Sequence, residues 1–100
     1  MDQKSQQEWF QGAYDLGGNR IKSGFGWPME PDPIVIKYIQ KIKPEIKRIL
    51  DLGCGQGRHA LYCAEEGLES YGVDYVERAI EEAKQTAVAR GLNEAHFLVA

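Results

Sequence analysis

The sequence predicts an α/β domain built on a parallel sheet. Two observations carry that prediction. From Asp32 onward the apolar pattern alternates between helix and strand three times over, and strands separated by helices imply βαβ crossovers. A glycine loop, "GCGQG" at 53–57, follows the first strand directly. Ligands of open α/β sheets bind at such carboxyl ends of strands.

Each element has its own signal. Residues 1–31 are uneven: Trp9, Phe10 and Tyr14 suit a short amphipathic helix, and "GGNRIKSGFGWPMEPDP" is dense enough in Gly and Pro to be loop. Its Ile21, Phe25 and Trp27 must pack on the domain or cover a ligand, so 1–31 is set apart as an N-terminal segment and candidate lid. Asp32 followed by Pro33 marks a helix start, cap first and proline at the first helical position. Ile34, Ile36, Tyr38, Ile39 and Ile42 give it apolar positions as far as Lys43, and Pro44 stops it. "KRILDL" at 47–52 reads as a short buried strand. Residues 58–66 read as a helix closed by Gly67, and 69–73 as a second strand. Val76, Ala79, Ile80, Ala83 and Ala87 mark one face of a helix from 76 to Arg90, closed by Gly91. "AHFLV" at 95–99 is the third strand.

Composition narrows the class. One hundred residues give one domain at most, with a small core. An apolar share of 43% and a charged share of 27% are those of an ordinary globular chain. A net charge of −3 and a pI near 5.3 argue against a general nucleic-acid binder. Lys37, Lys41, Lys43, Lys47 and Arg48 cluster, and read as a solvated face. Cys54 and Cys63 lack the spacing and companion histidines of a zinc site, and the pattern is that of a reducing compartment rather than a disulfide scaffold. No signal peptide or membrane-length apolar run is visible, so the cytoplasm and no membrane partner are expected.

The glycine loop suits a nucleotide-like ligand, and its spacing says which kinds it does not suit. A dinucleotide fingerprint needs a third glycine where Arg58 stands, and no P-loop pattern is present. Asp51, at the end of the first strand, would repel a pyrophosphate and attract an ammonium group. Asp74 ends the second strand, 21 residues after Gly53, where a carboxylate can accept hydrogen bonds from a ribose diol. A ligand with ribose at one end, an ammonium at the other and no phosphate fits both acids. S-adenosylmethionine is such a ligand. Taken singly, Asp51 could brace the loop and Asp74 could cap the following helix. Tyr62 and Tyr71 read as core or surface residues, and His59 and His96 as structural. Arg58 either braces the loop or meets a ligand carboxylate.

At "ILDLGCGQG" and Asp74 the chain resembles the class I S-adenosylmethionine-dependent methyltransferases, in particular the small-molecule group that opens on "LDLGCGxGR". The resemblance covers roughly residues 34–100. It implies a Rossmann-like three-layer αβα fold, with the chain supplying the first three strands, order 3-2-1, of a seven-stranded sheet. It implies a cofactor-binding set of Asp51, Gly53, Cys54, Gly55, Gly57, Asp74 and Tyr75. Asp51 would hold the ligand amino group, Asp74 the ribose hydroxyls, and Tyr75 or Val76 would pack on adenine. No catalytic residue and no metal ligand is implied.

Residues 32–100 are thus expected to be a binding half-domain that stops before the fourth strand and its acceptor loops, inactive alone. The parent would be a methyltransferase with a small-molecule acceptor and no nucleic-acid partner. A first strand without its fourth-strand neighbour invites self-association. The rival readings are a non-catalytic nucleotide-binding module and, against the glycine spacing, a nicotinamide-dependent oxidoreductase domain.

Overall fold

The computed structural model describes residues 29–100. The helix expected around Trp9, Phe10 and Tyr14, most of the Gly/Pro-rich loop and nearly all of the 1–31 segment lie outside the described residues.

Helix α1 (Pro33–Ile42) starts as its sequence dictates. Pro33 stands in the first turn, and the Asp32 carboxylate accepts the Ile34 amide at 2.8 Å. The α-helix ends at Ile42, and a 3₁₀ turn (Lys43–Glu45) carries Pro44. The apolar stripe that packs is narrower than the sequence suggested. Ile39 is buried, and Val35 and Ile42 pack beside it on Cys63 and Leu68. Ile34 and Tyr38 are 78% and 60% exposed, because they fall one stripe around the helix from that contact.

Three strands follow: β1 (Arg48–Leu52), β2 (Glu69–Asp74) and β3 (Ala95–Val99). They pair in parallel in the order 3-2-1, with Asp51 opposite Gly72 and Gly72 opposite Phe97. The fold is therefore α/β and Rossmann-like. Helices α2 (Arg58–Glu65) and α3 (Glu77–Ala89) supply the crossovers. Both end in the same motif. The Gly67 and Leu68 amides return to the Ala64 and Cys63 carbonyls, and those of Gly91 and Leu92 to Val88 and Ala87.

The main core lies between the two crossover helices and one sheet face. Ala60, Leu61, Ile80, Ala83, Ala87 and Phe97 form it, with Ile49 and Ala95 packed at its margin. Fully burying side chains such as Leu61 and Ile80 contributes roughly 1.5–3 kcal/mol each. The face expected for α3 is the face observed, with Ala79, Ile80, Ala83 and Ala87 all buried.

The opposite sheet face is open among the described residues. Leu50, Leu52 and Leu98 are 59%, 75% and 58% exposed, and Leu50, Tyr71, Val73 and Leu98 line a shallow apolar groove. A short buried strand that loses part of its cover where the fourth strand is missing was expected from the sequence. Here β1 is the sheet edge, and the described helices cover only one of its faces. No helix of the described residues is long and apolar enough to cross a membrane.

Candidate functional site

The loop after β1 is fixed by hydrogen bonds to β2. One carbonyl, that of Val73, accepts the amides of Gly53 at 2.8 Å and Cys54 at 3.0 Å. The Gly55 amide donates to Asp74 Oδ2 at 2.8 Å, and the Gly57 amide to the Cys54 carbonyl at 2.9 Å. The glycine loop thus meets the end of β2 before any ligand is considered.

Two of its glycines are bare for different reasons. Gly57 has φ +87°, and a Cβ there would stand 2.8 Å from the Phe97 ring and 3.2 Å from Ala83. The protein's own aromatic ring excludes a side chain at 57. Gly53 has φ +74°, with nothing within 4 Å of where its Cβ would be. Gly53 is also one of the residues that line the cleft. Phe97 also explains Gly72, where a Cβ would meet the ring at 2.6 Å and Cys54 Sγ at 2.8 Å. The sequence offered no sign that Phe97 is the platform beneath the loop.

Asp74 braces the start of the following helix, as one of its two readings required. Its Oδ1 accepts the Val76 amide at 2.9 Å, bracing the start of α3, and its Oδ2 accepts Gly55. A carboxylate oxygen has two lone pairs, so each oxygen retains one acceptor position. Two hydroxyls are what such a pair can take.

Asp51 lies against the first turn of α2. Burial pushes its carboxyl above the usual aspartate range, opposed by His59 and Arg58, aided by Asp74 and opposed again by the Ala60 amide. A cation placed beside it would relieve the cost of that buried charge. Cys54 lines the cleft while packing in the main core, and burial, with Asp51 and Asp74, pushes its thiol up to about 12. At neutral pH it is a thiol and not a nucleophile. Tyr75 is partly buried against Val76 and Ala79; Val76 itself is 1% exposed. Of the two residues weighed for an adenine contact, only Tyr75 keeps accessible surface.

The cleft is a cavity of about 280 Å³ lined by Met29, Asp51, Gly53, Cys54, Gly55, Gln56, Arg58 and His59. Gln56 Nε2 donates to Glu82, which ties the loop to α3. Arg58 Nη1 donates to the Glu30 carbonyl at 3.3 Å, and His59 Nε2 accepts the Asp32 amide at 3.1 Å. Burial, then Arg58, lowers the proton affinity of His59, against Asp51 and Asp32. His96 is remote from the cleft and stacks on Tyr71, ring centroids 4.9 Å apart.

Comparison with known proteins gives a consistent set of likenesses. Residues 44–100 match the family model described as a methyltransferase domain. Over 71 residues the chain is 41% identical to the 2-heptyl-1-hydroxyquinolin-4(1H)-one methyltransferase of Mycobacteroides abscessus, covering 71% of this chain and 31% of that protein. A structure solved in work on the conversion of a disulfide bond into a thioacetal group during echinomycin biosynthesis superposes with a TM-score of 0.75. It is 35% identical, covering 95% of this chain and 39% of that one. The Pyrococcus abyssi tRNA (uracil-54, C5)-methyltransferase in complex with S-adenosyl-L-homocysteine gives a TM-score of 0.56 at 30% identity, covering 67% of this chain and 17% of that one. Small-molecule and RNA enzymes both stand among the relatives, so an exclusion of nucleic acid from the partners has no support here. The chain spans about a third of the length of the curated quinolone relative.

Proposed function

This chain belongs to the class I S-adenosylmethionine-dependent methyltransferases, and we propose that its cleft binds S-adenosylmethionine for transfer of the sulfonium methyl group. One observation carries the reading. Asp74 offers two unused acceptor positions at one side of the glycine loop, and Asp51 a charge in need of a cation at the other.

The residues suit that ligand end by end. The cavity is smaller than the roughly 300–1,000 Å³ that encloses a drug-sized molecule. It holds the amino-acid end, with the ammonium toward Asp51 and the backbone of Gly53, Cys54 and Gly55 alongside. The nucleoside runs outward past Asp74, which takes the ribose hydroxyls, to Tyr75. Gly57 serves from beneath by letting the loop sit on Phe97. The complex of the tRNA methyltransferase relative with S-adenosyl-L-homocysteine supports this ligand class.

For the acceptor we propose a small molecule. The net charge of −3 and the quinolone-methyltransferase relative support it. Methyl transfer asks little covalent help of the protein; holding donor and acceptor in line does most of the work.

Calorimetric titration of the chain with S-adenosyl-L-homocysteine, with NADH as the control, tests the donor site. Saturable binding of the first and none of the second is expected. No binding of S-adenosyl-L-homocysteine, or a preference for NADH, would reject the reading.

A further inference from the structure

We propose that His59 and Arg58 are positioning residues that strap residues 29–32 across the cofactor cleft, and that the strap holds only while His59 Nε2 carries no proton. The inference rests on the donor-site reading and assigns the regulation of that site.

Both residues stand in the first turn of α2, immediately after the glycine loop. Both reach back to the same short segment, 27 and 28 residues earlier. Arg58 Nη1 holds the Glu30 carbonyl, and His59 Nε2 holds the Asp32 amide. Asp32 is already committed on its other sides. Its carboxylate accepts the Ile34 amide, and its carbonyl accepts the Ile36 amide at 3.0 Å. The start of α1 is thereby joined to the start of α2, with 29–32 as the bridge. Met29 is what the bridge presents. It lines the cleft with Asp51 and Gly55, and it also packs on Val76 and Ala79 beside Tyr75. One side chain thus spans the proposed amino-acid and adenine ends.

The His59 contact has a condition that the Arg58 contact lacks. A neutral imidazole accepts at Nε2 when its proton is on Nδ1; an imidazolium has a donor on both nitrogens and cannot accept. Protonation would set two N–H groups face to face and release Asp32. The charged groups facing the ring are Arg58 on its own helix, Asp51 at the end of β1 and Asp32 before α1. Burial and the Arg58 guanidinium favour the neutral ring; the two carboxylates oppose them.

The test is S-adenosyl-L-homocysteine affinity at about pH 7.5, where the ring is neutral, and at a pH below the His59 ring transition as followed by NMR, for the wild-type chain and His59→Gln. The glutamine carbonyl can accept the Asp32 amide and does not titrate, whereas Asp51 titrates in both proteins. The wild type should lose about two- to tenfold more affinity at the lower pH than the variant, the span of one ordinary hydrogen bond. Equal losses in the two proteins would overturn the proposal. A second readout needs no ligand and no variant. In ¹⁵N spectra of the wild-type chain, His59 should carry its proton on Nδ1, and the Asp32 amide shift should titrate with the His59 ring. An Asp32 amide indifferent to that titration overturns the strap even if the ligand binds. Should no ligand bind at either pH, the donor-site reading falls, and the amide titration alone decides the strap.

Discussion

The amide of Gly55 donates to Oδ2 of Asp74 across 2.8 Å, joining the loop after β1 to the end of β2. The carboxylate that is proposed to hold a ribose therefore also holds the loop that walls the cleft. Asp74→Ala should weaken S-adenosyl-L-homocysteine binding by about 1.5–3 kcal/mol, the range for hydrogen bonds to a charged group. It should also lower the melting temperature, since the Gly55 and Val76 amides lose their acceptor. Asp74→Asn keeps one acceptor oxygen and should fall between. Calorimetry and thermal melts on the three proteins check this; unchanged affinity in Asp74→Ala would remove the residue from the site.

Gly57 and Gly53 separate packing from ligand contact. Gly57→Ala places a methyl group 2.8 Å from the Phe97 ring at φ +87°. Overpacking of that kind costs about 1–3 kcal/mol, and left-handed backbone adds about 1–2 kcal/mol. Gly53→Ala meets open space, so only the backbone term applies to folding. Denaturant midpoints should rank wild type above Gly53→Ala, and that above Gly57→Ala. Phe97→Leu should recover part of the Gly57→Ala loss in a double-mutant cycle. Additive losses would show that the ring is not what excludes the side chain.

Asp51 predicts a conflict between folding and binding. Its carboxyl is raised in the folded state, chiefly by burial. A raised folded value means that its contribution favours the fold at low pH and is lost as pH rises through that value. At neutral pH the half-buried charge is a cost. Asp51→Asn should raise the melting temperature near neutrality, with the difference closing below the ordinary aspartate value of 3.8. The same variant should bind S-adenosyl-L-homocysteine less tightly, by about 1.5–3 kcal/mol. A variant less stable than the wild type at neutral pH would contradict the account.

Most of the fold was legible because its signals are local. Asp32-Pro33 opens α1, Gly67 and Gly91 close α2 and α3, and the apolar stripe from Ala79 to Ala87 has a helical period. The placement of the two acids beside the glycine loop was legible because each lies at the carboxyl end of a strand of a recognisable βαβ unit. What escaped depends on contacts between residues far apart in sequence. Phe97 beneath Gly57 and Gly72, Gln56 on Glu82, and His59 on the Asp32 amide leave no periodic trace. The loss of cover on β1 was legible at Leu50, since the strand lacks a neighbour on one side; the exposure of Leu52 was not. An apolar run reveals that a face can be buried, and only the arrangement of helices decides which face is.

The open side of β1 carries the next prediction. Its edge is unpaired among the described residues, and Leu50 and Leu52 stand beside it in water. Such an edge is a template for a second strand. The chain should therefore self-associate with rising concentration in sedimentation experiments. Leu50→Lys should shift it toward monomer without changing affinity for S-adenosyl-L-homocysteine. A wild-type chain that stays monomeric across the concentration series would refute this.

The double use of the Val73 carbonyl has a thermodynamic consequence. With the Gly53, Cys54, Gly55 and Gly57 amides all bonded within the protein, the loop is already ordered when a ligand arrives. Binding then need not spend interaction energy on freezing the backbone. Those amides should exchange their protons slowly in the empty protein, and ligand should slow them little further. The entropy lost on association should come from the ligand's own torsions and not from the loop.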